Sequence, residues 1–104
     1  MEEIELKLDE NKRGAFVVEK AGKQLAEIEI AISGNNLTVY HTEVSEELRD
    51  HGIAAKLVSN MVTYAREHKL KVIALCPYVS VQFKRHPEKY ADIWNQHWHE
   101  KSEE

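Results

Sequence analysis

One cysteine, two prolines and four glycines in 104 residues exclude several designs at once. A single cysteine cannot form an intrachain disulfide or a cysteine-based zinc site, and it fits a reducing compartment. So little proline and glycine does not suit a linker-rich or disordered chain. Positive charge is also short: 14 basic side chains face 18 acidic ones, a formal net charge of −4. Duplex-binding domains carry the opposite balance, so no nucleic acid partner is expected. No apolar run approaches the roughly 20 residues of a bilayer span. The opening stretch MEEIELKLDENKRG alternates and is acidic, so neither a signal peptide nor a membrane partner is expected. These absences point to the cytoplasm. What is present, 42% apolar and 31% charged residues, describes one globular domain spanning residues 1–104.

The first half reads as strands. Ile4, Leu6 and Leu8 alternate with Glu5, Lys7 and Asp9, the period of a half-buried strand. Asp9 to Gly14 is a polar turn, and Ala15 to Glu19 a second strand closed by Ala21-Gly22. In Leu25 to Ile32, Ala26, Ile28, Ile30 and Ile32 face one way, and Glu27 and Glu29 the other. Ser33-Gly34-Asn35-Asn36 suits a hairpin turn before a fourth strand, Leu37 to Val44. Short connections make these four strands an antiparallel meander.

The second half changes period. Ile53, Ala54, Leu57, Val58, Met61, Val62 and Ala65 form one apolar stripe of a helix over Gly52 to His68. Lys71 to Cys76 is a continuous apolar run, the pattern of a strand buried on both faces. Strand, helix and strand give a right-handed crossover that sets the fourth and fifth strands parallel. Pro77 stops the fifth strand, Val79 to His86 is expected to be helical, and Pro87 suits a first helical turn. Tyr90, Ile93, Trp94, His97 and Trp98 recur at helical spacing and predict a last helix packed on the body. The fold class is therefore α/β (α+β), with a mixed, largely antiparallel sheet and a long helix after the fourth strand.

Chemistry concentrates between Thr42 and Lys56. A strand ends near Val44, a polar loop follows, and the long helix opens near Gly52. The first helical turn has backbone N–H groups without intrahelical partners and the positive end of the macrodipole. Gly52 has no Cβ to hold an anion off, Ala54 and Ala55 are small, and Arg49 supplies a charged donor. Together they describe a pyrophosphate cradle. The competing reading is a glycine that merely turns the chain, with Arg49 solvated.

Arg49-x-x-Gly52-x-Ala54 resembles the (Arg/Gln)-x-x-Gly-x-(Gly/Ala) motif of the GNAT acetyltransferases. The chain more closely resembles the small single-domain GNAT-like family of about a hundred residues. The shared segments are His41-Thr42-Glu43-Val44, Ala65-Arg66, Cys76-Pro77-Tyr78, Arg85-His86-Pro87 and Tyr90-Ala91-Asp92. The resemblance implies acetyl-CoA as co-substrate, no metal, and acetyl transfer to a small-molecule amine or a protein or peptide acceptor. It implies that Arg49, Asp50, His51, Gly52, Ile53, Ala54 and Ala55 bind the pyrophosphate. It further implies that Thr42 and Val44 pair with the pantetheine arm, that Tyr78 lies nearby, and that the thioester sits near Glu43 and Cys76. Two features depart from the larger enzymes of the superfamily. Only the turn Asp9 to Gly14 fills the space where they place two helices, and Phe83 stands nearest to where many carry a proton-donating tyrosine.

The candidates for catalysis are Cys76, Glu43 and His41. Cys76 is a small core residue by default, and a thiol acceptor or proton donor if it meets the thioester. Glu43 or His41, two residues apart on one strand face, could deprotonate an amine. Tyr78 or Cys76 could replace the missing tyrosine. Asp50 puts negative charge into the phosphate loop. His97 and His99 are spaced i, i+2 and do not face each other on a helix, so no metal site is expected there. Two rival readings remain: a non-catalytic coenzyme A or partner-binding module, and a structural protein that pairs through Trp94 and Trp98. The expected oligomeric state is a monomer or weak dimer.

Overall fold

The computed structural model describes residues 4–96; the side chains of Asp50 and His51 lie outside the description. Five strands run β1 (Ile4–Leu8), β2 (Arg13–Lys20), β3 (Lys23–Ser33), β4 (Asn36–Val44) and β5 (Lys71–Ala74). They lie side by side in chain order. The first four are antiparallel, and β5 runs parallel to β4 from Asn36↔Lys71 to Val39↔Ala74. The parallel step needs a crossover, supplied by α1 (Ile53–Glu67). Two short helices follow, α2 (Pro77–Arg85) and α3 (Pro87–Tyr90), each with proline in its first turn.

Local chemistry fixes the turns. Asp9 Oδ1 accepts from the backbone N–H of Asn11 at 2.8 Å and of Arg13 at 3.0 Å, folding the chain between β1 and β2. Ala21 and Gly22 both take positive φ, the requirement of a two-residue hairpin between twisted strands. That tight turn fixes the register of β2 on β3, and with it which residues face the core.

One face of the sheet carries the core. Phe16, Val18, Ile28, Ile30, Leu37 and Val39 pack under Ile53, Leu57, Val58, Met61, Val62 and Ala65 of α1. Each such buried aliphatic or aromatic side chain stabilises by about 1.5–3 kcal/mol, so this stripe is the main source of fold stability. α2 adds Val79 and Phe83, and Tyr90 stacks on Phe83 with centroids 4.5 Å apart. α1 lies beside α2 and α3, since Val58, Val62, Gln82 and Tyr90 line one groove. The helices thus share one face of the sheet. The other face presents Glu5, Lys7, Glu27, Glu29, His41 and Glu43, matched across strands as Glu27↔Glu43 and Glu29↔His41. A Lys7–Glu19 ion pair of 2.8 Å spans part of it and raises the Lys7 ammonium pKa.

Two expectations fail at the C-terminal side. β5 is an edge strand, not one buried on both faces, and only Val72 within it is fully buried. Its apolar run reflects cover from the following chain: Val72 N–H donates to the Ile93 carbonyl and Asn95 N–H to the Val72 carbonyl, with Trp94 in a parallel bridge to Val72. The last helix accordingly stops at Tyr90. Tyr90, Ile93 and Trp94 do pack on the body, but as a turn and a strap, because β5 offers an open ladder that a helix could not satisfy. His97, Trp98 and His99 lie outside the described residues.

The strap is held by charge as well. Arg66 Nε meets Asp92 Oδ2 at 2.8 Å and its Nη2 meets Asp92 Oδ1 at 3.1 Å, a two-point fork. The same Nη2 donates to the Lys89 carbonyl, and Lys71 Nζ to the Asp92 carbonyl. The bonded Arg66 guanidinium holds the Asp92 carboxyl below its ordinary pKa.

Candidate active site

The site begins with an interruption of β4. Ile30 pairs with Val39 and Glu29 with His41, so Tyr40 is an extra residue without a partner on β3. A bulge of this kind reverses the face parity of everything after it. Leu37 and Val39 point into the core before it; Thr42 and Val44, paired with Ile28 and Ala26, do so after it. At the same point β5 leaves. The N–H groups of Leu75 and Cys76 both donate to the Val39 carbonyl, at 3.1 and 3.0 Å, and the chain turns into α2. The expected strand Lys71 to Cys76 therefore ends at Ala74. Beyond Val39, β4 and the other wall diverge, and β4 from Tyr40 to Val44 keeps only its β3 ladder.

The loop after β4 is an ordered 3-10 turn, Glu46–His51. Ser45 starts it by accepting from the Glu47 N–H, while its own N–H donates to the Leu25 carbonyl at 2.8 Å. Leu48 is buried in the core and anchors the turn. Lys23 and Glu47 pair at 3.0 Å across its rim. The turn closes on Gly52, whose φ of +67° is a left-handed conformation that costs glycine little and other residues about 1–2 kcal/mol.

At Gly52 the sequence expectation and the structure agree on place. Gly52 is the N-cap of α1, no side chain caps the helix, and its first turn holds no acidic residue. Apart from its chain neighbours, nothing among the described residues approaches within 4 Å of where a Gly52 Cβ would stand. Val44, Arg49, Gly52, Ile53, Ala54, Ala55 and Tyr78 line one groove of about 340 Å³ there. Uncapped amides, a dipole end, a nearby guanidinium and no local carboxylate in the helix turn suit a pyrophosphate. Of the remaining residues expected at a cofactor, Asp50 and His51 have side chains outside the described set, and Thr42 is not part of the groove lining.

The three expected catalytic residues are divided. Cys76 is 3% exposed, and its Sγ lies 3.2 Å from Thr42 Oγ1, on the core face. His41 and Glu43 are exposed and lie on the opposite, polar face of β4. Cys76 and Glu43 are thus not brought together on one side, because residues of odd and even position after the bulge face opposite ways. They flank the divergence of β4 and β5 from its two faces. Phe83 is fully buried against Tyr90 and Trp94, while Tyr78, 36% exposed, lines the groove.

Arg85 is exposed and stays outside the groove lining, whereas His86 joins Arg66, Lys89 and Tyr90 around a second groove of about 180 Å³ between α1 and α2–α3. It meets the first at Ala55. No local motif in the sequence singles out the polar side chains of its walls, Ser59, Thr63 and Gln82. Among the described residues no group of three or more His, Cys, Asp or Glu side chains could hold a metal ion. No helix among them is long and apolar enough to cross a membrane.

Comparison with known proteins bears on this geometry. A family model described as GCN5-related N-acetyl-transferase matches residues 15–93. A GCN5-like protein from Staphylococcus aureus, itself a proposed N-acetyltransferase, is similar at 32% identity. The match covers 91% of this chain and 94% of that one, with a TM-score of 0.65. The ribosomal-protein-S18-alanine N-acetyltransferase of Escherichia coli shares the fold at a TM-score of 0.55 and 12% identity, over 62% of this chain and 42% of that one. No curated protein matches the chain. A five-stranded sheet that splays after a bulge, a glycine-opened helix beside the splay, and a family match from β2 to the strap agree: the chain belongs to the GCN5-related N-acetyltransferase family.

Proposed function

We propose that the protein binds acetyl-CoA at the mouth of α1 and transfers its acetyl group to an amine. The observation that carries this reading is the single groove lined by Val44, Arg49, Gly52, Ile53, Ala54, Ala55 and Tyr78. The α1 amides and Arg49 hold the pyrophosphate, and the β4 backbone at Thr42 and Val44, unladdered on the β5 side, offers pairing groups for an amide-bearing arm. When bound, the thioester supplies an acyl carbon already activated toward a nitrogen nucleophile.

The acceptor arrives over the polar face. Glu27 and Glu43 stand directly opposite each other there, a like-charge pair that a cationic acceptor relieves. Glu43 or His41, directly or through water, takes the proton that an ammonium must lose before attack. A C–N bond then forms, the C–S bond breaks, and a proton reaches the departing sulfur from Tyr78 or water. Cys76 faces away from the acceptor and is already bonded to Thr42, which favours a direct transfer over an acyl-cysteine relay. The protein works in the cytoplasm as a single minimal domain, monomeric or weakly dimeric.

A non-catalytic coenzyme A sensor is the second reading, favoured by burial of Phe83 where a proton donor is expected. Titrating acetyl-CoA into labelled protein tests the site: amide shifts confined to Val44 and residues 49–55 support it, and none at millimolar ligand would refute it. Amine-dependent release of CoA then separates the enzyme from the sensor.

A further inference from the structure

The groove at the mouth of α1 lies between β4 and α2. Val44 on β4 and Tyr78 on α2 form two of its walls. Two residues deeper along each element come Thr42 and Cys76. Thr42 shares the Val44 face of the strand, and there the walls meet, Thr42 Oγ1 at 3.2 Å from Cys76 Sγ. One step further in, the backbones themselves join at the Val39 carbonyl. Between β4 and α2 the order is therefore an open groove by Gly52, then a side-chain contact, then backbone hydrogen bonds.

We propose that Thr42 and Cys76 form the blind end of the acyl slot and set which acyl chain the protein accepts, selecting two carbons over longer chains. This rests on the acyl-CoA reading above and adds a specificity-determining pair to it. Neither side chain can retreat. Thr42 is β-branched and therefore stiff at χ1, and β3 pairs behind it through Ile28. Cys76 is the N-cap of α2, fixed by Pro77 at the next position, and is 3% exposed in a packed core. A longer acyl chain would have to displace close-packed atoms, which interiors resist. Discrimination per methylene in such a pocket is about tenfold to two-hundredfold. The pair also meets its own polar needs, Thr42 Oγ1 and Cys76 Sγ lying 3.2 Å apart.

The test is calorimetric titration of the full chain with CoA, acetyl-CoA and butyryl-CoA. Wild type should bind acetyl-CoA at least about tenfold more tightly than butyryl-CoA. Cys76→Ala should bring the two within about threefold, and Thr42→Ala, which opens the slot from the opposite wall, should do the same if Cys76→Ala fails to fold. Thr42→Val keeps the size, removes only the hydroxyl and should retain the wild-type preference. Free CoA, which leaves the slot empty, should bind Cys76→Ala as it binds wild type. Equal binding of both thioesters by wild type, or variants that weaken both thioesters equally, would overturn the proposal while leaving the acyl-CoA site intact. Absence of binding by CoA and both thioesters would overturn the acyl-CoA reading itself, and this proposal with it.

Discussion

The two halves of β4 differ in almost every respect although nine residues make one strand. Before Tyr40, Leu37 and Val39 are fully buried, and ladders run to β3 on one side and β5 on the other. After Tyr40, Thr42 and Val44 are only half-buried, His41 and Glu43 are exposed, and the ladder to β5 is gone. The first half is paired on both sides and buried, so its residues contribute to stability. The second half keeps one ladder and leaves the groups on its other edge unsatisfied by β5, which is what a ligand with amide groups needs. One extra residue is enough to make the change.

Substitutions can break that contrast. The largest effect on stability is expected in the first half: Leu37→Ala should lower unfolding free energy by about 3 kcal/mol in urea titrations, the cost of a core cavity. Thr42→Val in the second half should cost less than about 1 kcal/mol by the same measurement. At the mouth of α1, Gly52→Glu should weaken CoA binding by about 100-fold or more, through a charge set against the pyrophosphate. It should also lose about 1–2 kcal/mol of stability, because glutamate must adopt a positive φ. Binding within threefold of wild type would remove the helix mouth from the site.

Smaller effects test the strap that covers β5 beside the laddered half. The folded Asp92 carboxyl has a lowered pKa, so its contribution is present above the unfolded value near 3.9 and is lost as pH falls through the folded value. Wild type should exceed Asp92→Asn in stability by about 1 kcal/mol or less at pH 7, with the gap closing toward pH 2. A gap that stays constant from pH 7 to pH 2 would show that the fork contributes through shape, not charge. The smallest change is a gain: Lys69 sits at φ +56° after α1, and Lys69→Gly should add about 0.5–1 kcal/mol without altering CoA binding.

Much of this was legible in the chain. The alternation of β1 to β4, the stripe of α1 and the parallel crossover all follow from local period, and the glycine before α1 marked the groove. The bulge left a trace that period alone can reveal: the core side passes from the odd positions Leu37 and Val39 to the even position Val44. What could not be read was face. The family resemblance implies a thioester near both Glu43 and Cys76, and parity after Tyr40 puts these two on opposite sides of the sheet. Nor could local pattern distinguish a buried central strand from an edge strand covered by the tail. The run Lys71 to Cys76 looks the same in both cases, and only the long-range pairing of Val72 with residues 93–95 decides. The Ala65-Arg66 and Tyr90-Ala91-Asp92 segments carried family resemblance without a role; the fork between Arg66 and Asp92 supplies one.

The strap over β5 has a further effect, on how this sheet meets other chains. An unpaired edge is a template on which a foreign strand can polymerise. Residues 93–95 occupy Val72 on the β5 side, whereas among the described residues β1 has no neighbouring strand beyond it in the sheet. Beyond the unladdered end of β4, growth of the sheet by strand addition is therefore directed to β1. There it meets Glu5 and Lys7, side chains of opposite sign that admit a complementary charge pattern and discourage a purely apolar one.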